Sequence, residues 1–193
     1  MQNIFNSIEP LKQISLLKGE FLFHTGDAIK NVYLIQSGRL RMSRLTLDGK
    51  ESVMYEGSCG ETFAEASLFS EYYHCYAMAI QDSTVDVFDK STLLNALEND
   101  AQLSNDYMAM LARQVQKLRT QLELRNINSA HERAYKFLVL NADASGTVVL
   151  SASLKEIAHQ LGLAHETFYR TLSKLEKDQK ITRNDNGDLF LNV

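Results

Sequence analysis

The sequence contains few cysteines. Cys59 and Cys75 are the only two, which is too few for a disulfide framework, and they lie too far apart for a CxxC metal motif. We therefore interpret both as reduced, partly buried thiols with no metal or redox role, as is usual for a protein of the cytoplasm. No metal site is expected.

Long apolar runs are also missing. No run approaches the roughly 18 residues that a membrane span requires, so we expect no membrane association. The first residues lack a basic region followed by an apolar one, so we expect no signal peptide and a cytoplasmic location. The net charge of −4 argues against a non-specific nucleic-acid binder. It does not exclude a sequence-specific binder, because the charge of the docking face matters more than the total.

Enzyme motifs are missing as well. We find no glycine-rich phosphate loop, no Gly-x-Ser-x-Gly elbow, no HExxH motif and no paired catalytic set. An enzyme is therefore the least favoured function class, and no catalytic residue is predicted.

The first half of the sequence alternates short apolar runs with turn signals. Asp48-Gly49 between two strand-like runs predicts a hairpin. Strands with turns every eight to twelve residues are typical of an antiparallel roll or barrel, here in residues 1–100. The clearest runs are Phe21-Leu22-Phe23, Val32-Tyr33-Leu34-Ile35, the alternating stretch 40–47, and Val85-Asp86-Val87-Phe88.

A long helix is predicted next, because residues 91–127 contain neither glycine nor proline. Its apolar residues at alternating spacings of three and four are typical of a coiled-coil seam, which predicts a dimerisation helix over residues 101–128. A second apolar stripe on another face of the helix would cover the β-roll. The alternative to a dimer is a single helix that is buried within one subunit. The seam is Met108, Leu111, Val115, Leu118 and Leu122, and the second stripe is Leu103, Tyr107 and Met110.

Residues 129–193 predict a small helical domain. Three helices are expected, at 131–140, 154–161 and 165–177, followed by a hairpin around Asn186-Gly187. Ala158 and Gly162 have the spacing of a helix-turn-helix, which needs a small residue at the helix crossing and a glycine in the turn. Ile157, Leu161, Phe168 and Leu172 would form its core. The hairpin makes this a winged helix-turn-helix; an ordinary helical hairpin would not explain the polar outer face of the third helix.

These motifs resemble the cyclic-AMP receptor protein and FNR (CRP/FNR) superfamily over residues 11–193. The sequence that resembles the family's recognition helix is His165-Glu-Thr-Phe-Tyr-Arg170. The front half agrees at Gly19-Glu20-x-Leu22-Phe23-x-x-Gly26-Asp27, Tyr33-Leu34-Ile35-x-x-Gly38, Asp48-Gly49-Lys50-Glu51 and Gly60-Glu-Thr-Phe-Ala-Glu-Ala-Ser-Leu-Phe69. The resemblance implies an α+β protein: an N-terminal antiparallel β-roll like the cyclic-nucleotide-binding jelly roll, a long dimerisation helix, and a C-terminal winged helix-turn-helix.

The resemblance also implies which residues bind DNA. Glu166 would accept from cytosine N4, and Arg170 would donate to guanine O6 and N7. Thr167 and Lys174 would contact phosphates. The full predicted set is His165, Glu166, Thr167, Tyr169, Arg170 and Lys174, of which His165 replaces an arginine of the cyclic-AMP branch.

The implied effector pocket departs from the cyclic-nucleotide pattern. Glu65 is kept, but Cys75 stands where the family has its phosphate-pairing arginine, and Leu118-Arg119 replaces the adenine-binding Thr-Ser pair. A phosphodiester without a cation would lose its hydration without a charge-assisted bond in return, so we do not expect cyclic AMP. The predicted pocket residues are Phe63, Glu65, Cys75, Tyr76, Leu118 and Arg119.

Two other cofactors follow from the family. An FNR-type iron–sulfur cluster needs four thiolates, which two cysteines cannot supply. The sequence Phe63-Ala-Glu-Ala-x-x-Phe69 resembles that of the dissimilatory nitrate respiration regulators. This resemblance leaves haem as an alternative cofactor, with His24 or His74 as its axial ligand. In the opposing interpretation His24 caps a turn and His74 lies on an exposed loop. Tyr72, Tyr73 and Tyr76 would line an aromatic pocket beside His74.

The sequence therefore predicts a homodimeric transcription regulator that reads an inverted-repeat operator in double-stranded DNA under control of an unknown small-molecule effector. RNA polymerase is an expected partner. The alternative is a sensor module for haem or another small molecule whose C-terminal domain contacts a protein instead of DNA.

Overall fold

The computed structural model describes residues 4–150, 153–184 and 187–192. The chain divides into one compact unit that ends at Leu111 and a second that begins at Ala112. The division falls within one long helix, so this helix contributes residues to both units.

The first unit is an antiparallel β-roll. One four-stranded sheet has the order β1-β8-β3-β6 and the other has the order β2-β7-β4-β5. Every strand pair is antiparallel, which confirms the predicted fold. The strands are β1 Lys12–Leu16, β2 Phe21–Phe23, β3 Asn31–Ser37, β4 Arg39–Leu45, β5 Glu51–Ser58, β6 Thr62–Phe63, β7 Tyr76–Ala79 and β8 Ser83–Asp89.

Two tight turns connect neighbouring strands of the roll and allow them to pair as they do. The hairpin predicted at Asp48-Gly49 joins β4 to β5, where Gly49 has a φ of 78°. Gly38 links β3 to β4 with a φ of 79°, and a Cβ there would lie 2.2 Å from the carbonyl oxygen of Asp82. Only glycine satisfies both the positive φ and the close approach at that turn.

Two helices follow the roll, where the sequence predicted one continuous helix. They are α1 Lys90–Asn99 and α2 Ala101–Asn126. Asp100 interrupts them because its backbone is extended and its carboxylate accepts hydrogen bonds from the backbone N–H groups of Gln102 and Leu103. This side-chain cap starts a new helix.

The second apolar stripe of α2 covers the roll, as predicted. Leu103 and Tyr107 are buried, and Met110 packs against the same cluster. Leu111, assigned to the dimer seam, also packs there and is half-buried. The cluster shared with the roll and α1 contains Phe5, Val32, Leu34, Leu68, Phe88 and Leu93.

Besides the end of α2, the described part of the second unit contains three helices and a small sheet. Helices α3 Ala130–Leu140, α4 Leu154–Gln160 and α5 His165–Lys177 agree closely with the predicted ranges. Strands β10 Ile181–Arg183 and β11 Leu189–Leu191 form the predicted hairpin, in whose turn Asn186 lies outside the described residues. Strand β9 Thr147–Val148 adds a third strand that the sequence did not predict.

The described residues contain neither a candidate metal-binding cluster nor a helix suited to span a membrane. Among them, no cluster of three or more His, Cys, Asp or Glu side chains could hold a metal ion. No helix in that part of the chain is long and apolar enough to cross a bilayer.

Candidate functional site

Helix α5 has one buried face and one polar face. Its buried side chains are Phe168, Thr171, Leu172 and Leu175. Glu166, Tyr169, Arg170 and Lys174 are exposed on the other side, while His165 and Thr167 are half-buried. All six residues predicted to bind DNA therefore reach solvent on a helix that is fixed by its apolar face.

The beginning of α5 also suits contact with an anion. Ala164 occupies the N-cap position and offers no side-chain cap, so the first-turn N–H groups and the positive end of the helix dipole remain available to a phosphate. The His165 ring packs at a tilt against the Tyr169 ring, with the two centroids 4.4 Å apart. Arg170 Nη2 lies 3.5 Å from Thr167 Oγ1, a long hydrogen bond that leaves the guanidinium free to turn toward a ligand.

The turn between α4 and α5 has the predicted geometry. Gly162 has a φ of 64°, and Ala158 is buried beside Ile157, Leu161 and Phe168. Helix α4 starts at a capping box in which Ser153 accepts from the backbone of Glu156 and the Glu156 carboxylate accepts from the backbone of Ser153. The helix-turn-helix core is thus set by local sequence.

Arg133 ties this turn to the segment between α2 and α3. Its Nε and Nη2 donate to the Ile127 carbonyl oxygen at 3.0 and 2.6 Å, and its Nη1 donates to the Leu161 carbonyl oxygen at 2.7 Å. A planar guanidinium can satisfy two carbonyl groups at once, which a lysine ammonium on its flexible stem does less well. Arg133 therefore fixes where α4 ends relative to the start of α3.

A shallow, open pocket of about 290 Å³ lies beside the recognition helix. Its lining residues are His131, Thr167, Arg170, Thr171 and Lys174. Sequence reasoning identified three of these residues but missed His131 and Thr171. The signal for His131 was its place in the first turn after the Ser129-x-x-Glu132 cap, which brings it to one end of α3.

The predicted effector residues of the roll lie in or beside its core. Phe63 and Cys75 are buried in one cluster with Phe23 and Tyr73. Burial raises the pKa of the Cys75 thiol, despite the opposing influence of Arg44. Cys75 is thus a neutral thiol at neutral pH, and it cannot replace the positive charge of an arginine.

Glu65 begins a short 3₁₀ helix at residues 65–67, directly after Ala64, whose φ is 71°. Its backbone oxygen accepts a hydrogen bond from the Tyr107 hydroxyl at 3.0 Å. Burial, followed by the nearby Glu65 carboxylate, raises the pKa of Tyr107. The 3₁₀ helix is thereby fastened to the part of α2 that belongs to the first unit.

The remaining predicted pocket residues are more exposed. The Tyr76 hydroxyl donates to Glu51 Oε1 at 3.1 Å. Leu118 and Arg119 lie in the part of α2 that belongs to the second unit, and both are exposed. Arg44 was missed: its Nε donates to the His74 carbonyl oxygen at 3.1 Å, which places a cation beside Cys75.

The two candidate haem ligands are both exposed. His24 packs its ring against Phe21 at 4.4 Å, and its backbone N–H donates to the Asp27 carboxylate in the turn. His74 lies on an exposed bend. The three tyrosines near it do not share one environment, because Tyr73 is buried and stacked on Phe23 while Tyr72 is exposed. The three tyrosines therefore do not line one aromatic pocket, and the prediction of such a pocket is wrong.

Comparison with known proteins gives matches to both units. Residues 13–100 match the family described as "Cyclic nucleotide-binding domain", and residues 132–192 match the "Crp-like helix-turn-helix domain". The nitrogen fixation regulation protein FixK of Azorhizobium caulinodans is 30% identical over 83% of this chain and 67% of its own length. The transcriptional activator protein Anr of Pseudomonas aeruginosa is 28% identical over 86% of this chain and 71% of its own.

A solved structure supports the same likeness. FixK2 from Bradyrhizobium japonicum is 25% identical, with a TM-score of 0.67 over 94% of this chain and 92% of that one. The likeness therefore includes the roll, the long helix and the helix-turn-helix in one order.

Proposed function

The chain belongs to the CRP/FNR family of DNA-binding transcription regulators, and we propose that it works as a homodimer in the cytoplasm on an inverted-repeat operator. In this proposal residues 1–100 sense an effector, residues 101–128 dimerise and residues 129–193 bind DNA. RNA polymerase is the proposed partner of the DNA-bound protein. This family is not enzymatic.

The polar face of α5 carries the proposed mode of DNA binding. The apolar side of the helix is fixed by Phe168, Leu172 and Leu175, so the exposed side can enter a major groove without losing its support. Glu166 and Arg170 have the chemistry to read cytosine and guanine edges. Thr167 and Lys174 would hold phosphates, which position the helix without reading sequence.

Arg170→Ala should cost about 1–3 kcal/mol at one base pair and relax specificity there, because a bidentate contact to guanine is lost. An operator is first selected with the wild type from a random-sequence duplex library. Affinities for it and its single-base-pair variants are then measured by fluorescence anisotropy.

Lys177→Ala is the matched control, since Lys177 is an exposed cation at the end of the same helix but does not line the pocket beside α5. It should leave discrimination between base pairs unchanged. If the Arg170→Ala variant discriminates among the operator variants as the wild type does, Arg170 does not read a base.

The dimer proposal is supported by the exposed seam of α2. Leu118 and Leu122 are 58% and 62% exposed, and Met108 and Val115 are also exposed, on one helical face. Complete removal of such a side chain from water contributes about 1.5–3 kcal/mol to the free energy of association. A second copy of the helix would supply that cover and place two recognition helices on one operator.

The effector is proposed to be something other than cyclic AMP. Cys75 supplies no cation, and Leu118 offers no hydroxyl where the family pair holds adenine. One lost charged hydrogen bond is worth about 1.5–3 kcal/mol, enough to weaken binding by tenfold or more. Isothermal titration with cyclic AMP should therefore give no saturable low-micromolar isotherm.

Two other arginines are candidates to pair with the phosphate of cyclic AMP in place of the missing family arginine. Arg119 on α2 and Arg44 on β4 are both cations from outside the segment that aligns with the family's phosphate site. A low-micromolar cyclic-AMP isotherm that is lost in Arg119→Ala or Arg44→Ala would show that one of them replaces the missing arginine.

A further inference from the structure

The carboxyl end of α2 is part of the helix-turn-helix core. Leu124 is 4% exposed and lies in the buried cluster of the second unit, and Ile127 packs against the same cluster. The connection between α2 and α3 consists of residues 127–129. The boundary between the two compact units does not fall at this connection but at Leu111 and Ala112, inside α2. The last turns of α2 therefore belong to the same compact unit as the recognition helix.

Two arginines fix the carboxyl end of α4 to the neighbouring helices. Arg125, in the last turn of α2, donates from Nε to the Gln160 carbonyl oxygen at 3.1 Å. Arg133 on α3 donates to the Leu161 carbonyl oxygen and to the Ile127 carbonyl oxygen of the connection. The last carbonyl groups of a helix have no partner within that helix, and an arginine side chain can supply one. The first helix of the helix-turn-helix is thus held to α2 by one arginine and to α3 by the other.

An ion pair also joins α2 to α3. Lys136 Nζ contacts Glu123 Oε1, and both side chains are partly exposed. An exposed ion pair adds little to stability, but this one spans the same connection as the two arginines. Because several contacts hold it, the short connection has little freedom to bend or twist.

We propose that Arg125 and Arg133 are positioning residues for operator recognition. They fix the recognition helix relative to the dimer seam of α2, and thereby set the distance between half-sites that the dimer accepts. This rests on the dimeric DNA binding proposed above. In a symmetric dimer the half-site spacing follows from the geometry of the protein, and the direction of each recognition helix relative to its own α2 is part of that geometry. Neither arginine needs to touch DNA in this role.

The length of the spacer between half-sites measures how firmly the recognition helix is held. One added base pair moves a half-site by about 3.4 Å along the duplex and rotates it by about 35° around the duplex axis. A recognition helix that is held to α2 can follow this displacement only if a hydrogen bond breaks or the DNA deforms, and both cost free energy. A recognition helix on a loose connection could follow it at little cost.

The test uses duplexes that carry the selected half-sites with the selected spacer, or with a spacer one base pair shorter or longer. A fourth duplex carries a single half-site. Dissociation constants are measured by fluorescence anisotropy, and the spacing penalty is the ratio of the constant for an altered spacer to that for the selected spacer. The wild type should show a spacing penalty of at least about tenfold.

The double variant Arg125→Ala/Arg133→Lys should lower the spacing penalty to about threefold or less. It keeps a cation at position 133, but a lysine ammonium does not hold two carbonyl groups as a planar guanidinium does. Its affinity for the single half-site should equal that of the wild type. This readout separates positioning from stability, because a damaged helix-turn-helix would bind the single half-site more weakly as well.

Two further variants provide the controls. Arg113→Ala removes an exposed arginine of α2 that lies more than three helical turns before Arg125, and it should keep the wild-type spacing penalty. Insertion of two glycines between Asn128 and Ser129 lengthens the connection, and it should remove most of the penalty. Circular dichroism checks that each variant is folded.

A folded double variant that keeps the wild-type spacing penalty would overturn the proposal, and so would a wild type that binds all three spacers equally well. Weaker binding of the double variant to the single half-site, in proportion to its loss on the full operator, would equally overturn it. If the double variant does not fold, Arg125→Ala alone decides: its penalty should be smaller than that of the wild type, and an unchanged penalty contradicts the proposal. Selection of no inverted repeat by the wild type would instead contradict the dimeric DNA binding proposed above, so the two failures are distinguishable.

Discussion

Leu118→Asp is expected to convert the protein to monomers and to weaken operator binding by more than about a hundredfold. Leu118 lies at the middle of the exposed seam of α2 and is 58% exposed, so the change should leave the single chain folded. In a symmetric dimer each subunit would bury one unpaired carboxylate, at a cost on the order of 3–5 kcal/mol per charge. Multi-angle light scattering gives the mass.

Gln116→Asp is the matched control for this prediction. It introduces the same charge on an exposed position of the same helix, two residues away and therefore on a different face. It should remain dimeric. Leu111→Asp is less informative, because Leu111 packs against the cluster shared with the β-roll and its substitution would destabilise the first unit itself. An unchanged dimer mass for Leu118→Asp would show that the seam does not face a partner.

Replacing Arg133 by Met should lower the free energy of unfolding by at least about 3 kcal/mol, the minimum for two carbonyl groups that each lose a charged donor, and weaken operator binding in parallel. The change keeps an unbranched side chain about as long as the aliphatic stem of arginine, but removes the guanidinium and with it the three hydrogen bonds that Arg133 donates to the Ile127 and Leu161 carbonyl groups. Charged hydrogen bonds contribute about 1.5–3 kcal/mol each, and partly buried carbonyls left without a donor add a desolvation cost. Chemical denaturation of the full chain, followed by circular dichroism, measures the loss.

Arg125→Ala serves as the control because Arg125 donates one exposed hydrogen bond, from Nε to the Gln160 carbonyl oxygen at 3.1 Å. It should change the unfolding free energy by no more than about 1 kcal/mol. If Arg133→Met is as stable as the wild type, the turn before α5 is held by its apolar core alone.

The elements that the sequence predicted best are those with local signals. Helix α5 spans His165–Lys177 as predicted, because its apolar period is flanked by a glycine turn on one side and a hairpin on the other. The hairpin at Asp48-Gly49 likewise follows from a dipeptide that tolerates the required backbone. These signals need no knowledge of distant contacts.

The features that the sequence did not predict depend on contacts between distant segments. Arg44 comes to His74 because β4 pairs with β7, although the two residues lie 30 positions apart in the sequence. Arg133 acquires its role from two carbonyl groups, those of Ile127 and Leu161, which only the fold brings to one guanidinium. The break at Asp100 is different: its capping side chain was visible, but the lack of glycine and proline suggested a continuous helix.

The central claim is that two copies of the winged helix-turn-helix read two half-sites together. Selection of duplexes from a random-sequence library by the wild-type protein tests this most directly. The enriched sequences should be inverted repeats whose half-site centres lie one helical turn apart, about 10–10.5 base pairs or 34 Å. Enrichment of single, unpaired half-sites, or no enrichment over the starting library, would contradict it.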